Sequence, residues 1–357
     1  MDWQEPRQVL DRLNVALGSV PRGSGACSQL QRLETGRPFP AIINSEANVT
    51  TMVLDDCENI FHQALLSESE SAFCRAIEPL LKEYEILSLE LGRGSVFWRA
   101  RLIENEVYPN ISDLDYPPAE HAGQGRLNDR GAPCFYIATR KETALAEVGA
   151  TEGQLVQLAG FRIKNESPIR LAVIGEYANV QKNGYMHFAG RDPEMAIARI
   201  LNAMPRQEAF RKIYIDKFLA SVLADPNASD NGYMFSRALG QAIYSRGGAE
   251  GIVFPSVKDR GGFNISVQAA PSDRSFHNVS CLVVRMGKPR NFGLIEFAIV
   301  KSAERLDGNS KFIWLDEGES EVIGIYNMSK EEFEMASCNP DDRNNLLNML
   351  HTRTEHR

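Results

Sequence analysis

Residues 123–149, GQGRLNDRGAPCFYIATRKETALAEVG, place three chemically capable side chains in three different local settings. Arg126 lies in a glycine-rich turn, Tyr136 in a short apolar run, and Glu147 in a helix-like segment. A glycine-rich turn lets the backbone approach a ligand closely, and an arginine there offers a planar fork that suits phosphate oxygens. The combination indicates a pocket for a dinucleotide, with Arg126 against its pyrophosphate.

Each candidate side chain also has an ordinary structural explanation when it is taken alone. An arginine beside glycines is usually a solvated loop residue, which would account for Arg126. Glu147 fits a helix-surface carboxylate, and Tyr136 fits a core tyrosine whose hydroxyl is satisfied. Ser256 and Asn264 are typical turn residues. Only the arrangement of these residues along the chain favours a functional site.

Most other familiar kinds of site find no support in the sequence. The glycine patterns GxGxxG and GxxxxGK[ST] of the two commonest nucleotide cradles are absent, as are the HExxH zinc motif and the GxSxG nucleophile elbow. The six cysteines are far apart and form no CxxC pair, which argues against a zinc site and a disulfide framework. We therefore expect no metal.

Length, composition and charge set the broad class. A chain of 357 residues with 43% hydrophobic residues can bury a core in one large domain or two ordinary ones. The net charge of −8 argues against a nonspecific nucleic-acid binder. The first residues lack the features of a signal peptide, and no apolar run reaches the ~18 residues of a membrane span. A cytoplasmic protein without a membrane partner is expected.

The composition of the chain and the spacing of its apolar residues change near residue 92. Residues 1–50 are rich in glycine, proline and serine, and in 51–91 the apolar positions, Leu87 among them, recur mostly at helical spacing. The segment SVFWRARLI then predicts a strand, and residues 108–133 predict a long polar loop. A domain boundary is expected at the glycines that precede this strand.

Glu147 is expected on a helix that directly follows a buried strand. CFYIA, 134–138, predicts the strand, and residues Thr139 to Glu142 have the pattern of a capping box that opens the helix. The apolar stripe of this helix is Ala144, Leu145 and Val148, with Glu147 at its edge. Further strands are predicted at LVQLAGFRI, PIRLAVI, GIVFPSV and FNISVQA, helices between 191 and 248, and more β runs after 278.

Six blocks of this sequence, in this order, resemble the RES domain, a family named for its arginine, glutamate and serine. The blocks are WRAR 98–101, GQGRLN 123–128, GAPCFYIA 131–138, ETALAEV 142–148, GAEGIVFPSV 248–257 and GGFN 261–264. The resemblance implies an α+β fold similar to ADP-ribosyltransferases, in which a split β-sheet core with flanking helices holds NAD. Expected units are a mainly helical N-terminal module, 1–91, an RES-type NAD-binding catalytic domain with a C-terminal β extension, 92–335, and a polar tail, 336–357.

The resemblance also implies a reaction and a set of site residues. RES domains are typically bacterial toxins that pair with Xre-type antitoxins and cleave the nicotinamide–ribose bond of NAD, with phosphate or water as the acceptor. NAD would be a substrate, with inorganic phosphate as the one candidate co-substrate and no further cofactor. The implied catalytic residues are Glu147, Arg126, Tyr136 and Ser256; the implied NAD-binding residues are Arg99, Arg126, Tyr136, Ser256 and Asn264.

In these roles Glu147 is the catalytic carboxylate, the arginines anchor phosphate or ribose, and Tyr136 lies on the nicotinamide side. The departing nicotinamide leaves positive charge on the ribose, which a fixed carboxylate in a partly dry pocket stabilises. Two alternatives stay open: transfer of ADP-ribose onto a macromolecule, and a noncatalytic interaction module with the same fold. The sequence leaves open the acceptor, any antitoxin or immunity protein, and homo-oligomer formation.

Overall fold

The computed structural model describes residues 52–94, 96–183, 186, 188, 196–290, 294–315 and 320–325. In this part of the chain, helices pack against one large β-sheet, so the α+β class expected from the sequence is confirmed. None of the helices in these ranges is both long enough and apolar enough to cross a membrane.

The helices and the strands are numbered separately in chain order. The helices are α1 Leu54–Leu65, α2 Glu70–Glu83, α3 Lys141–Glu147, α4 Tyr177–Asn183, α5 Ala196–Ala203, α6 Arg206–Leu223, α7 Met234–Gly247 and α8 Ala269–Ser275. The strands are β1 Leu87–Leu91, β2 Phe97–Leu102, β3 Cys134–Ala138, β4 Leu155–Ile163, β5 Ile169–Val173, β6 Gly251–Pro255, β7 Phe263–Gln268, β8 Phe276–Met286, β9 Leu294–Leu306, β10 Phe312–Leu315 and β11 Ser320–Ile325.

The sheet runs in the order β1-β5-β6-β7-β3-β2-β4-β8-β9-β10, with β11 also paired to β9. Strand β3 pairs with β7 over all five of its residues, and β2 pairs with β4 over all six. Between β2 and β3, however, the register contains the single pair Trp98 and Ala138. The two halves of the sheet therefore separate beyond this pair, which confirms the split expected for the core.

Helix α3 lies across the junction between the two halves, where it packs against β2, β3 and β4. Its Ala144 and Leu145 are buried together with Ala138 of β3 and Val156 and Leu158 of β4, as the predicted apolar stripe requires. This packing fixes the helix that carries Glu147 above the point at which the sheet divides.

The predicted capping box of α3 is wrong. The helix begins at Lys141 with Arg140 as its N-cap, and no side chain caps it. Thr139 instead continues the pairing of β3 with β7, because its amide donates to the Phe263 carbonyl at 3.0 Å. Its hydroxyl also lies within hydrogen-bond distance of the Phe263 backbone, so it is occupied by the sheet and cannot cap the helix.

The helices α1 and α2 belong to the main hydrophobic core. Phe61 of α1 packs edge-on against Phe218 of α6, and Phe73 of α2 contacts Phe235 of α7. The helical pattern ends at Glu83, and the segment from Leu87 is strand β1, which pairs antiparallel with β5. The sequence pattern was misleading there because Leu87 continues the helical spacing from Tyr84, although the alternation in LSLEL, 87–91, is that of a strand. The boundary expected between residues 91 and 92 stays a prediction.

The long polar loop between β2 and β3 is hydrogen-bonded to elements that follow β7. Loop residues 109–111 contact the turn before β10: the Ile111 amide donates to the Ser310 carbonyl, and the Phe312 amide donates to the Pro109 carbonyl. Further along the loop, the Tyr116 hydroxyl donates to the Asp273 carboxylate at 2.8 Å. The loop is thus ordered against β10 and α8, not loosely connected.

Asp216 of α6 joins three parts of the core. Its carboxylate accepts hydrogen bonds from the Tyr84 hydroxyl at 2.7 Å, the Gly175 amide at 2.8 Å and the Tyr177 amide at 3.0 Å. The side chain is fully buried, and this burial raises the pKa of Asp216 to about 6 despite the three donors. A carboxylate of this kind binds a proton more tightly in the folded chain than in the unfolded chain.

We expect the burial of Asp216 to make stability depend on pH. Between about pH 4 and pH 6 the folded state binds more protons than the unfolded state, so the free energy of unfolding falls as pH rises through this window, by up to about 3 kcal/mol. In Asp216→Asn this part of the fall should disappear. Urea unfolding of both proteins from pH 4 to pH 7 measures it, and parallel curves would contradict the assignment.

Candidate active site

Glu147, the last residue of α3, is held by two hydrogen-bond donors on one of its carboxylate oxygens. The Ser256 hydroxyl donates to Oε1 at 2.5 Å, and the Asn264 side-chain amide donates to the same oxygen at 2.6 Å. The side chain is exposed, and Oε2 has no hydrogen-bond or ion-pair partner among the residues that the structure describes. The carboxylate is therefore fixed through one oxygen and presents the other to a ligand.

The loop after β6 determines which way the Ser256 hydroxyl points. Its Oγ accepts hydrogen bonds from the backbone amides of Lys258 at 3.1 Å and Asp259 at 3.0 Å. A hydroxyl has two acceptor positions and one hydrogen, so with both acceptor positions used the hydrogen is directed to Glu147. Ser256 is buried and serves in this arrangement as a donor to the carboxylate.

Strand register places Asn264 and Tyr136 on the face of the sheet that α3 covers. Asn264 lies opposite Ala138, and Ser266 lies opposite Tyr136, in the antiparallel pair β3 and β7. Since alternate residues of a strand share a face, Tyr136 points to the same side as Ala138, which packs under α3. The two side chains are diagonal neighbours on this face.

Tyr136 uses its hydroxyl to fix the turn that carries Arg126. The hydroxyl oxygen accepts from the Leu127 amide at 2.8 Å and the hydroxyl hydrogen goes to the Asn128 side-chain oxygen at 2.9 Å. Burial raises the pKa of Tyr136 well above its usual value, so the phenol stays neutral. Gly125 allows this contact, because a Cβ there would lie 2.4 Å from the Asn128 side chain.

Arg126 points towards the end of helix α6. Its Nη1 donates to the Leu223 carbonyl at 3.0 Å, which the end of the helix leaves without an intrahelical partner, and to the Asp225 carbonyl, two residues further on, at 2.9 Å. The guanidinium also lies 5.6 Å from the ring centre of Tyr233. Its expected role as a phosphate anchor stays a prediction.

Arg99 lies at the split of the sheet. Its Nη1 donates to the Tyr136 carbonyl at 2.8 Å, in the stretch where β2 and β3 no longer pair. Its guanidinium lies over Phe135, whose side chain is on the face opposite to Tyr136. Burial lowers the pKa of Arg99 to about 10, and the nearby Asp115 of the polar loop partly offsets this. Arg99 thus bridges the two sheet halves from the face away from α3.

The structure brings together three of the six expected site residues directly, namely Glu147, Ser256 and Asn264. Tyr136 lies on the same face of the sheet as Asn264. Within the described ranges, no hydrogen bond or ion pair joins Arg99 or Arg126 to Glu147. Thr143 of α3 and Asp259 of the Ser256 loop, whose side chains hydrogen-bond each other, were not singled out from the sequence. Their only signal was the glycine pair 261–262, which is typical of a close backbone approach.

Comparison with known proteins supports the family that the motifs indicated. The RES domain family model matches residues 96–280, which is just over half of the 357 residues. This chain therefore belongs to the RES domain family. The matched range contains β2 through the first half of β8 and includes all six of the expected site residues.

A second comparison found a solved structure described as the crystal structure of the M. tuberculosis MbcT-MbcA toxin-antitoxin complex. The similarity covers 58% of this chain and 90% of that chain, at 10% sequence identity and a TM-score of 0.30. At this score it adds no argument about the present chain. A search of curated proteins found none that matches.

Removal of the Ser256 hydroxyl should destabilise the protein. Ser256→Ala leaves the amides of Lys258 and Asp259 without their acceptor, and we expect a loss of about 1–3 kcal/mol in the free energy of unfolding. Ser245→Ala, on the exposed surface of α7, is the matched control and should change stability by less than about 0.5 kcal/mol. Denaturant titration compares the two, and an equal effect would show that the Ser256 loop does not depend on this hydroxyl.

Proposed function

We propose that this protein cleaves the bond between nicotinamide and ribose in NAD. The observation that carries the proposal is the Glu147 carboxylate, which Ser256 and Asn264 hold through Oε1 while Oε2 has no partner in the described residues. An oxygen fixed in this way suits a ribose hydroxyl or the positive charge that develops on the ribose. Membership of the RES domain family supports the choice of NAD, because the family resemblance implies it.

The chemistry needs only a carboxylate, an acceptor and a held substrate. The C–N bond of the nicotinamide ribose breaks, and its electron pair leaves with nicotinamide and neutralises the pyridinium. The oxygen of water or inorganic phosphate then forms the new bond to the same carbon and gives ADP-ribose or its 1-phosphate. Water releases one proton to the solvent in this step, whereas the attacking phosphate oxygen is already ionised. Glu147 stabilises the oxocarbenium-like transition state of C–N cleavage, and no cofactor other than the substrate NAD is required.

In this proposal the neighbouring residues have supporting roles. Asn264 and Ser256 orient Glu147, and Tyr136 forms part of the wall on the face under α3. Arg126 is partly buried, and it would have to give up its hydrogen bonds to the carbonyls of Leu223 and Asp225 to meet a pyrophosphate. In the cell we propose that NAD loss makes the protein a bacterial toxin, restrained by an antitoxin of the Xre type.

Purified protein incubated with NAD should release free nicotinamide, measured by chromatography with and without phosphate. Glu147→Gln keeps the size of the side chain but removes its charge, and should lower kcat by about two to three orders of magnitude. Glu152→Gln, in the exposed turn before β4, is the control and should keep full activity.

Three results would change this proposal. Complete recovery of NAD from folded wild-type protein, with phosphate present, would contradict it. Radiolabel from NAD that stays on macromolecules of a cell extract would favour ADP-ribose transfer instead. If Glu147→Gln matches the wild-type rate, Glu147 has no part in the reaction.

A further inference from the structure

The loop between β6 and β7, residues 256–262, is closed on itself by hydrogen bonds. The Ser256 amide donates to the Gly262 carbonyl at 2.9 Å, and the Gly262 amide donates to the Asp259 carbonyl at 2.9 Å. The Ser256 hydroxyl oxygen accepts from the amides of Lys258 and Asp259. Because these bonds cross the loop in both directions, it is expected to move as one unit.

Asp259 fastens this unit to the first turn of α3. The residue is fully buried, and its Oδ2 accepts from the Thr143 hydroxyl at 2.5 Å and from Nη2 of Arg140 at 2.5 Å. Thr143 is also fully buried, whereas Arg140 is partly exposed. Gly262 leaves room for the contact, since a Cβ there would lie 2.4 Å from Asp259 Oδ2 and 2.5 Å from Thr143 Oγ1.

Thr143 and Glu147 lie four residues apart on α3 and therefore on the same side of the helix, about one turn or 6 Å along its axis. The loop thus holds one side of α3 at two points: Asp259 binds the first turn, and Ser256 binds the last residue. A shift of the first contact changes the distance and the angle of the second, because loop and helix are both rigid.

We propose that Asp259 is a positioning residue, which acts through Thr143 to set the Ser256 hydroxyl and the Glu147 carboxylate in their reactive alignment. The inference rests on the proposed NAD cleavage and adds a specific requirement to it. Apolar side chains would hold α3 on the loop equally firmly, but a buried carboxylate that receives a hydroxyl hydrogen fixes direction as well as distance. Asp259 and Thr143 reach no substrate, since both are fully buried.

A matched pair of variants at Thr143 separates positioning from packing. Thr143→Val keeps the shape of the side chain and removes the hydroxyl, whereas Thr143→Ser keeps the hydroxyl and removes the methyl group. Misplacement of a reacting group by a fraction of an ångström raises the energy of the transition state more than it weakens substrate binding. Thr143→Val should therefore lower kcat by about tenfold or more. The KM for NAD should stay within about twofold of wild type, and Thr143→Ser should restore kcat to within about threefold.

The result that overturns the proposal is a kcat of folded Thr143→Val equal to that of Thr143→Ser. A rise in the KM of Thr143→Val, of the size expected for kcat and with kcat unchanged, would also overturn it. Such a result would indicate altered substrate binding and not altered alignment. If Thr143→Val does not fold, Thr143→Ala, which also removes the hydroxyl, takes its place with the same expected and contradicting results.

A measurement without turnover separates this inference from the proposed reaction. The Asn264 side-chain amide donates to Glu147, so its NMR signal reports the position of the carboxylate directly. We expect this signal to move in Thr143→Val and to stay in place in Thr143→Ser. An unmoved signal in both variants contradicts the positioning role even if wild-type protein cleaves NAD. Absence of nicotinamide release from wild type contradicts the proposed function alone.

Discussion

The hydrogen bond from the Ser256 hydroxyl to Glu147 Oε1 is the interaction on which the site depends. It forms because the backbone amides of Lys258 and Asp259 occupy both acceptor positions of the hydroxyl, which leaves its hydrogen for the carboxylate. Asn264 adds a second donor to the same oxygen. A carboxylate held in this way needs no reorganisation when positive charge develops beside it, and such preorganisation is the larger part of many catalytic effects.

The split of the sheet lies beneath the helix that carries Glu147. Strands β2 and β3 share only the pair Trp98 and Ala138. Beyond that pair, the Arg99 guanidinium replaces a ladder hydrogen bond by donating to the Tyr136 carbonyl. The arginine keeps the two halves connected while the strands diverge, and α3 spans both halves above it.

The sequence was sufficient for the central strands and for the residues that bind Glu147. Strong apolar periods predicted β3, β4, β6 and β7, and the motif positions Ser256 and Asn264 do meet the predicted carboxylate. The direction of a long side chain has no such signal: nothing in GQGRLN shows that Arg126 turns to the end of α6, ninety-seven residues away. Thr143 and Asp259 were missed because their burial depends on a tertiary contact, and Thr139 failed as a cap because the sheet competes for its hydroxyl.

The most direct test of the central claim is a crystal structure of the protein with a non-cleavable NAD analogue. The account predicts that a hydroxyl of the nicotinamide ribose lies within hydrogen-bond distance, about 3 Å, of Glu147 Oε2, with Ser256 and Asn264 still on Oε1. A nicotinamide ribose bound elsewhere, with Glu147 facing only water, would contradict it.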